Sequence, residues 1–167
     1  MKASIEVEGI EDAISAFRKL GKEGRQEAQT AIEESLQEVR NTALSEIQRG
    51  GKSGRKYTNT FARVNGQLII TGTRAEAPNL SAEHKASAPG EAPASDTGTL
   101  VSSIKVSTGR MSGEVGSKLP YAFFLEYGTL YMDARPFLRP ALEANQQYII
   151  DALTRGLQRA IARFNAR

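Results

Sequence analysis

Residues 28–47 read AQTAIEESLQEVRNTALSEI, and Ala28, Ile32, Leu36, Val39, Ala43 and Ile47 recur within them at three- and four-residue spacing. That period lays one apolar stripe along about five helical turns, so the segment predicts a long amphipathic helix that Gly50-Gly51 ends. Upstream, Ile10, Ile14, Phe17 and Leu20 repeat at the same spacing, with Glu11 and Asp12 in the first turn, where the helix dipole favours anions. Gly21 and Gly24 then demand a kink or a tight turn. The alternation Ser4-Ile5-Glu6-Val7-Glu8 predicts a half-buried strand before that first helix.

Beyond Gly50 the helical period fades. Asn65-Gly66 is a hairpin turn pair, and Gln67 to Thr71 after it predicts a short strand. Residues 81–96, SAEHKASAPGEAPASD, are rich in Ala, Ser and Pro, and Pro89 and Pro93 disfavour helix in the residues before them. A stretch this long without a pattern reads as an arm over residues 50–97, inserted into a single domain of 1–167. Asp96 or Thr97 then caps a short helix bearing Leu100 and Ile104, with Gly98 in a conformation that side chains resist. Ile104–Thr108 and Gly113–Gly116 around Gly109-Arg110-Met111-Ser112 predict a hairpin.

Leu119 to Thr129, LPYAFFLEYGT, fits either a strand or two helical turns stopped at Gly128. Leu138, Leu142, Ile149, Leu153, Leu157, Ile161 and Phe164 mark one long C-terminal amphipathic helix, with Pro136 and Pro140 near its start, where proline is tolerated. The fold class is therefore α+β: a small, mostly antiparallel sheet packed against two long helices, N-terminal and C-terminal, with a long projecting arm.

Composition narrows the function. The 167 residues suit one domain, and 40% apolar with 25% charged residues is a globular balance. No apolar run approaches the roughly 20 residues that span a bilayer, and the N-terminus shows no secretory signal, so no membrane role is expected. The chain has no cysteine and one histidine, His84, which removes thiolate chemistry and most imidazole-based sites. His84 lies in the arm, where an exposed loop histidine is the plainer reading. Glu126 with Asp133 or Asp96 makes a formal carboxylate pair, but capping or an ion pair of Glu126 with Arg135 explains it more simply. Gly50-Gly51-Lys52-Ser53-Gly54 follows a helix rather than a strand and so is no phosphate loop. No catalytic residue, metal site or cofactor is assigned, and the expectation is a protein that is not an enzyme.

Net charge is +3, from 22 Lys and Arg against 19 Asp and Glu, and its distribution is uneven. Arg49, Lys52, Arg55, Lys56 and Arg63 form a stretch without acids, the C-terminal region is arginine-rich, and the acids concentrate between Glu6 and Glu46. That asymmetry suits a polyanion or a second copy meeting acid to base. Tyr121, Phe123, Phe124, Tyr127 and Tyr131 place five aromatics within eleven residues, more than a small domain buries in one place, so some of them point to an interface. Tyr121, Phe124 and Tyr127 are expected to pack the sheet to the terminal helix.

Three stretches carry a resemblance: ASAPGEAPASDTGTLVSSI (86–104), with Asp96, Thr97, Gly98 and Leu100; YAFFLEYGT (121–129), with Tyr121, Glu126 and Gly128; and ARPFLRPAL (134–142), with Arg135 and Pro136. In this order they resemble the neck and tail-component proteins of long-tailed double-stranded-DNA bacteriophages, which join heads to tails. The segment from Gly50 to Leu80 is longer and more polar than that family's pattern. The resemblance implies a non-enzymatic virion protein, assembled in the host cytoplasm, that forms a ring of six or twelve copies at the head–tail junction. It would sit between the connector or head-closure protein and the tail tube or tail terminator, in a tail-completion or tail-terminator role. Arg49, Lys52, Arg55, Lys56 and Arg63 would then face a partner or make non-specific contact with DNA in the lumen. The alternative is a basic nucleic-acid-binding accessory protein, in which the same residues bind nucleic acid.

Overall fold

The computed structural model describes residues 10–49, 52–64, 67–74 and 81–166. The strand expected at residues 4–8 and the glycine stop at 50–51 lie outside them. Helix α1 (Ile10–Lys19) is followed at once by α2 (Gly21–Gln48), and the break falls at Gly21, whose φ is +68°. The two helices fold onto one another closely. A Cβ on the buried Gly24 would collide with the Phe17 carbonyl oxygen.

Helix α2 is the spine of two cores. Its C-terminal half carries Val39, Ala43 and Ile47 into a cluster with Leu100, Ile104, Val115, Ala122, Phe137, Leu138 and Ala141. Its N-terminal half carries Ala28 and Ala31 into a second cluster with Phe17, Leu153 and Ala160. Ile32 and Leu36, expected in the stripe, are half-buried on its flank, while Ala31 and Ser35 take the innermost positions. Small residues there let helix α6 (Gln146–Asn165) approach. Ala152, Gly156 and Ala160 face α2, and a Cβ on Gly156 would lie 3.3 Å from that of Ala31.

The single long C-terminal helix expected from the sequence is two helices, α5 (Leu138–Ala144) and α6, divided at Asn145. The Asn145 amide donates to the Ala141 carbonyl (2.8 Å) and to Thr42 Oγ1 (2.9 Å), fixing the break against α2. Ile161 and Phe164, expected on the apolar stripe, are exposed, because the face that packs on α2 is the small-residue one.

Among the described residues there are two sheets. Strands β4 (Ile104–Gly109) and β5 (Ser112–Ser117) form the expected antiparallel hairpin, in register from Ile104↔Ser117 to Gly109↔Ser112. It lies on α2 so tightly that a Cβ on Gly113 would meet Leu36, and Arg40 Nε donates to the Ile104 carbonyl at 2.9 Å. The short α3 (Thr99–Ser103) leads into it. In the arm over residues 50–97, where the sequence predicts one short strand at Gln67–Thr71, the described residues form three: β1 (Lys56–Val64), β2 (Gln67–Arg74), which contains the expected one, and β3 (Ser81–Lys85). They form an antiparallel sheet in the order β2-β1-β3, with a register shift between Thr60 and Phe61. Val64 pairs with Gln67, and the turn pair expected at Asn65-Gly66 lies outside the described residues. The architecture is helix-rich α+β, with antiparallel pairing throughout.

Candidate assembly surface

Residues 119–129 resolve the ambiguity of their sequence as helix. Pro120 occupies the first turn of α4 (Pro120–Tyr127), and Gly128 ends the helix with φ +76° and ψ −175°. Only Ala122 and Glu126, four residues apart, are buried on it, so Tyr121, Phe123, Phe124 and Tyr127 all stand on exposed faces. This corrects the expectation that Tyr121, Phe124 and Tyr127 fill the core. With eight residues and one inward stripe the helix seats only one row of side chains, and Ala122 and Glu126 occupy it. The Phe123 and Tyr127 rings lie 4.9 Å apart, and Phe123 meets Phe124 edge-on at 6.0 Å. Beyond Gly128, Thr129 and Met132 bridge, and the Tyr131 amide donates to Thr129 Oγ1 at 3.1 Å. At the tip of that turn Leu130 and Tyr131 are 96% and 97% exposed.

Glu126 holds this surface in place. Its carboxylate is 2% exposed; Oε2 accepts the Phe137 and Leu138 amides (2.9 and 3.0 Å) and Oε1 the Arg139 amide (2.8 Å). Those are the first amides of α5, which has no side-chain cap of its own, so Glu126 caps it from another helix. The expected Glu126–Arg135 ion pair is therefore replaced. Arg135 Nε donates to the Ser87 carbonyl (3.2 Å), Nη1 to the Asp133 carbonyl (3.3 Å), and the backbone amide to Leu125 (2.6 Å).

At the start of α3, Gly98 holds the N-cap position itself, with the expected positive φ (+75°), and Thr97 Oγ1 just before it accepts the Thr99 amide at 3.4 Å and sits 2.7 Å from Thr99 Oγ1. Asp96, Thr97, Gly98, Leu100, Tyr121 and Arg135 line one hollow of about 430 Å³. Glu126, Gly128 and Pro136 lie outside it. Pro136 lines a second hollow of about 450 Å³ with Arg49, Lys52 and Glu91.

Two of the basic residues turn back on the end of α2. Arg49 pairs with Glu46 at 3.0 Å, and Lys52 Nζ donates to the Glu46 carbonyl at 2.9 Å. Arg55 is exposed beside them. Lys56 and Arg63 stand on β1 opposite Lys85 and Leu68.

Sequence reasoning missed two polar clusters. At the root of the three-stranded sheet, Glu91 accepts the Ser53 hydroxyl (2.5 Å), the Ser53 amide (3.1 Å) and the Ala88 amide (2.8 Å). These bonds, the Ser53 hydroxyl first, bring the Glu91 carboxyl from an ordinary 4.5 down to about 2. Gly54 and Ala86 pair beside it, continuing the β1–β3 ladder downward. The second cluster joins α2 to α6. Buried Glu27 pairs with Arg159 at 2.7 Å and with Arg163, and the Arg159 hydrogen bond to Glu27 raises that guanidinium above its ordinary range. The acidic and arginine-bearing helices expected to meet between subunits are thus joined in part within one subunit. Charge periodicity across helices 132 residues apart carries no signal of that contact.

Among the described residues no group of three His, Cys, Asp or Glu is arranged to hold a metal, and no helix is long and apolar enough to cross a membrane. No curated protein and no solved structure matches the chain significantly. The family described as "Bacteriophage HK97-gp10, putative tail-component" matches residues 11–128, from α1 to the glycine that ends α4. The match includes the 86–104 and most of the 121–129 stretches and stops short of 134–142. With more than two thirds of its length matched, the chain belongs to the HK97-gp10-like family of bacteriophage tail components.

Proposed function

We propose that this protein is a structural component of the phage neck, a ring of six or twelve copies that joins the connector or head-closure complex to the tail in a tail-completion or tail-terminator role. The observation that carries the reading is the aromatic face of α4 and the turn after it. Four large apolar side chains stand in solvent on a helix whose inner edge is pinned by Glu126, and Leu130 and Tyr131 follow on the turn. A contiguous apolar face on a fixed support is the character of an interface between proteins. Membership of a tail-component family agrees with a role exercised by contact with other virion proteins.

The reading includes no catalysis. The two buried carboxylates among the described residues are committed, Glu27 to two guanidiniums and Glu126 to three backbone amides. The basic residues make at most loose contact with DNA in the lumen, since Arg49 and Lys52 are already engaged by Glu46.

The test is genetic and structural together. Phages lacking the gene should accumulate filled heads and finished tails that do not join, and electron microscopy of wild-type virions should place a ring of this protein at the junction. Virions without the protein, or normal joining in its absence, would overturn the proposal.

A further inference from the structure

We propose that the aromatic face of α4 receives the basic β1–β2 hairpin of a second copy of this chain, a head-to-tail contact that deepens, and rests on, the ring reading above. The first ground is area. Tyr121, Phe123, Phe124 and Tyr127 are each between about two-fifths and one-half exposed, and Leu130 and Tyr131 almost wholly so. At roughly 200 Å² for a large side chain, these fractions amount to about 770 Å². A typical monomer's largest apolar patch is roughly 300–600 Å², and each partner in a standard interface covers about 800 Å². The face is therefore large enough to be one side of a stable contact.

The second ground is charge. The β1–β2 hairpin with the exposed Arg55 just before it holds Arg55, Lys56, Arg63 and Arg74 and no Asp or Glu, whereas the rest of the chain holds 18 Lys and Arg against 19 Asp and Glu. A hairpin that carries only cations and a body that carries every acid are complementary between copies, and the complement is directional, as ring closure requires. The receiving face suits cations. Aromatic ring faces attract guanidinium and ammonium groups, exposed Asp133 follows the Leu130–Tyr131 turn, and Asp96 lines the same hollow as Tyr121. The chain uses this chemistry internally, where the Arg155 guanidinium sits 5.7 Å from the centre of the Tyr148 ring. The Glu91 bonds at the root of the sheet fix the direction in which the hairpin leaves the body, which lowers the ordering cost of docking.

The experiment uses two full-length variants and light scattering. The face variant is Phe123→Ser, Tyr127→Ser, Tyr131→Ser; the hairpin variant is Arg55→Glu, Arg63→Glu. Each changes solvent-facing or strand-borne groups, and circular dichroism checks that each folds. The wild-type chain should self-associate at concentrations where each variant alone is monomeric. Mixed together, the variants should form 1:1 pairs and stop, because the face variant's hairpin still meets the hairpin variant's intact face and the reverse contact is missing on both. A photo-crosslinker at Tyr131 of the wild-type chain should reach residues 52–74 of another copy. Association surviving in both variants, crosslinks from Tyr131 to any other region or to another virion protein alone, or a wild-type chain monomeric at all accessible concentrations would each overturn this docking. The ring reading fails separately, on virions that lack a ring of the protein.

Discussion

At the scale of single residues, Glu126 does the most with one side chain. Three backbone amides at the start of α5 have no helical partner, and the carboxylate accepts all three inside the protein, where water does not replace it. Glu126→Ala should lower stability by about 2–4 kcal/mol in urea denaturation, the cost of stranding buried donors. Glu126→Gln should lose less, since it keeps one acceptor oxygen while turning an amide NH₂ toward the donors. Gly128 is the second such residue. Its φ of +76° with ψ −175° belongs to a region nearly closed to side chains, and a Cβ there would lie 2.8 Å from the Met132 carbonyl oxygen. Gly128→Ala should cost about 2 kcal/mol by the same measurement. It should also displace the turn that presents Leu130 and Tyr131, weakening self-association more than Leu130→Ala does.

Among the elements, those carried by local periodicity were legible and those built by distant pairing were not. The stripe from Ala28 to Ile47 reads directly as α2, and the β4–β5 hairpin follows from its alternation and turn residues. Of the three-stranded sheet only β2 was legible, at Gln67–Thr71; its partners β1 and β3 were hidden because charge and glycine around Lys52–Lys56 suggest loop, although Tyr57, Thr58, Thr60, Phe61 and Val64 are strand-forming types. The C-terminal stripe looked continuous because Asn145 divides it by hydrogen bonds to Ala141 and Thr42, and Thr42 is a hundred residues away in sequence. Of the candidate site, the aromatic excess near Tyr121 announced an interface, but its burial was misassigned, since Ala122 and Glu126 look less like anchors than the rings do. The root of the new sheet has a pH dependence. Glu91 has its carboxyl depressed in the fold, so its contribution is fully present above the ordinary value near 4.5 and is lost as pH falls toward about 2. Amide exchange at Ser53 and Ala88 should accelerate across that window, relative to amides of α2, and Glu91→Gln should show the faster exchange already at pH 5.

On the scale of the whole molecule, α2 couples two cores, with Ile149 of α6 packed against both, and the N-terminal one is small: Phe17, three alanines and Leu153 are its buried apolar members. Close approach of α2 and α6 through alanine and glycine leaves little apolar area to bury, so the Glu27–Arg159–Arg163 cluster is what fixes their relative position. A buried carboxylate contributes little net stability when paired, yet it is costly when stranded. This asymmetry gives a specific expectation. Arg163→Met alone, removing a half-exposed partner, should cost less than about 1 kcal/mol. Arg159→Met with Arg163→Met should cost about 3 kcal/mol, more than the two single losses combined, because only the pair of changes leaves Glu27 without a cation. Adding Glu27→Gln to the double variant should recover part of the loss, because the stranded charge is gone. Denaturation of the four chains measures this coupling. A double variant no worse than the sum of its parts, or no recovery on neutralising Glu27, would show that the helices are positioned by their small-residue packing alone.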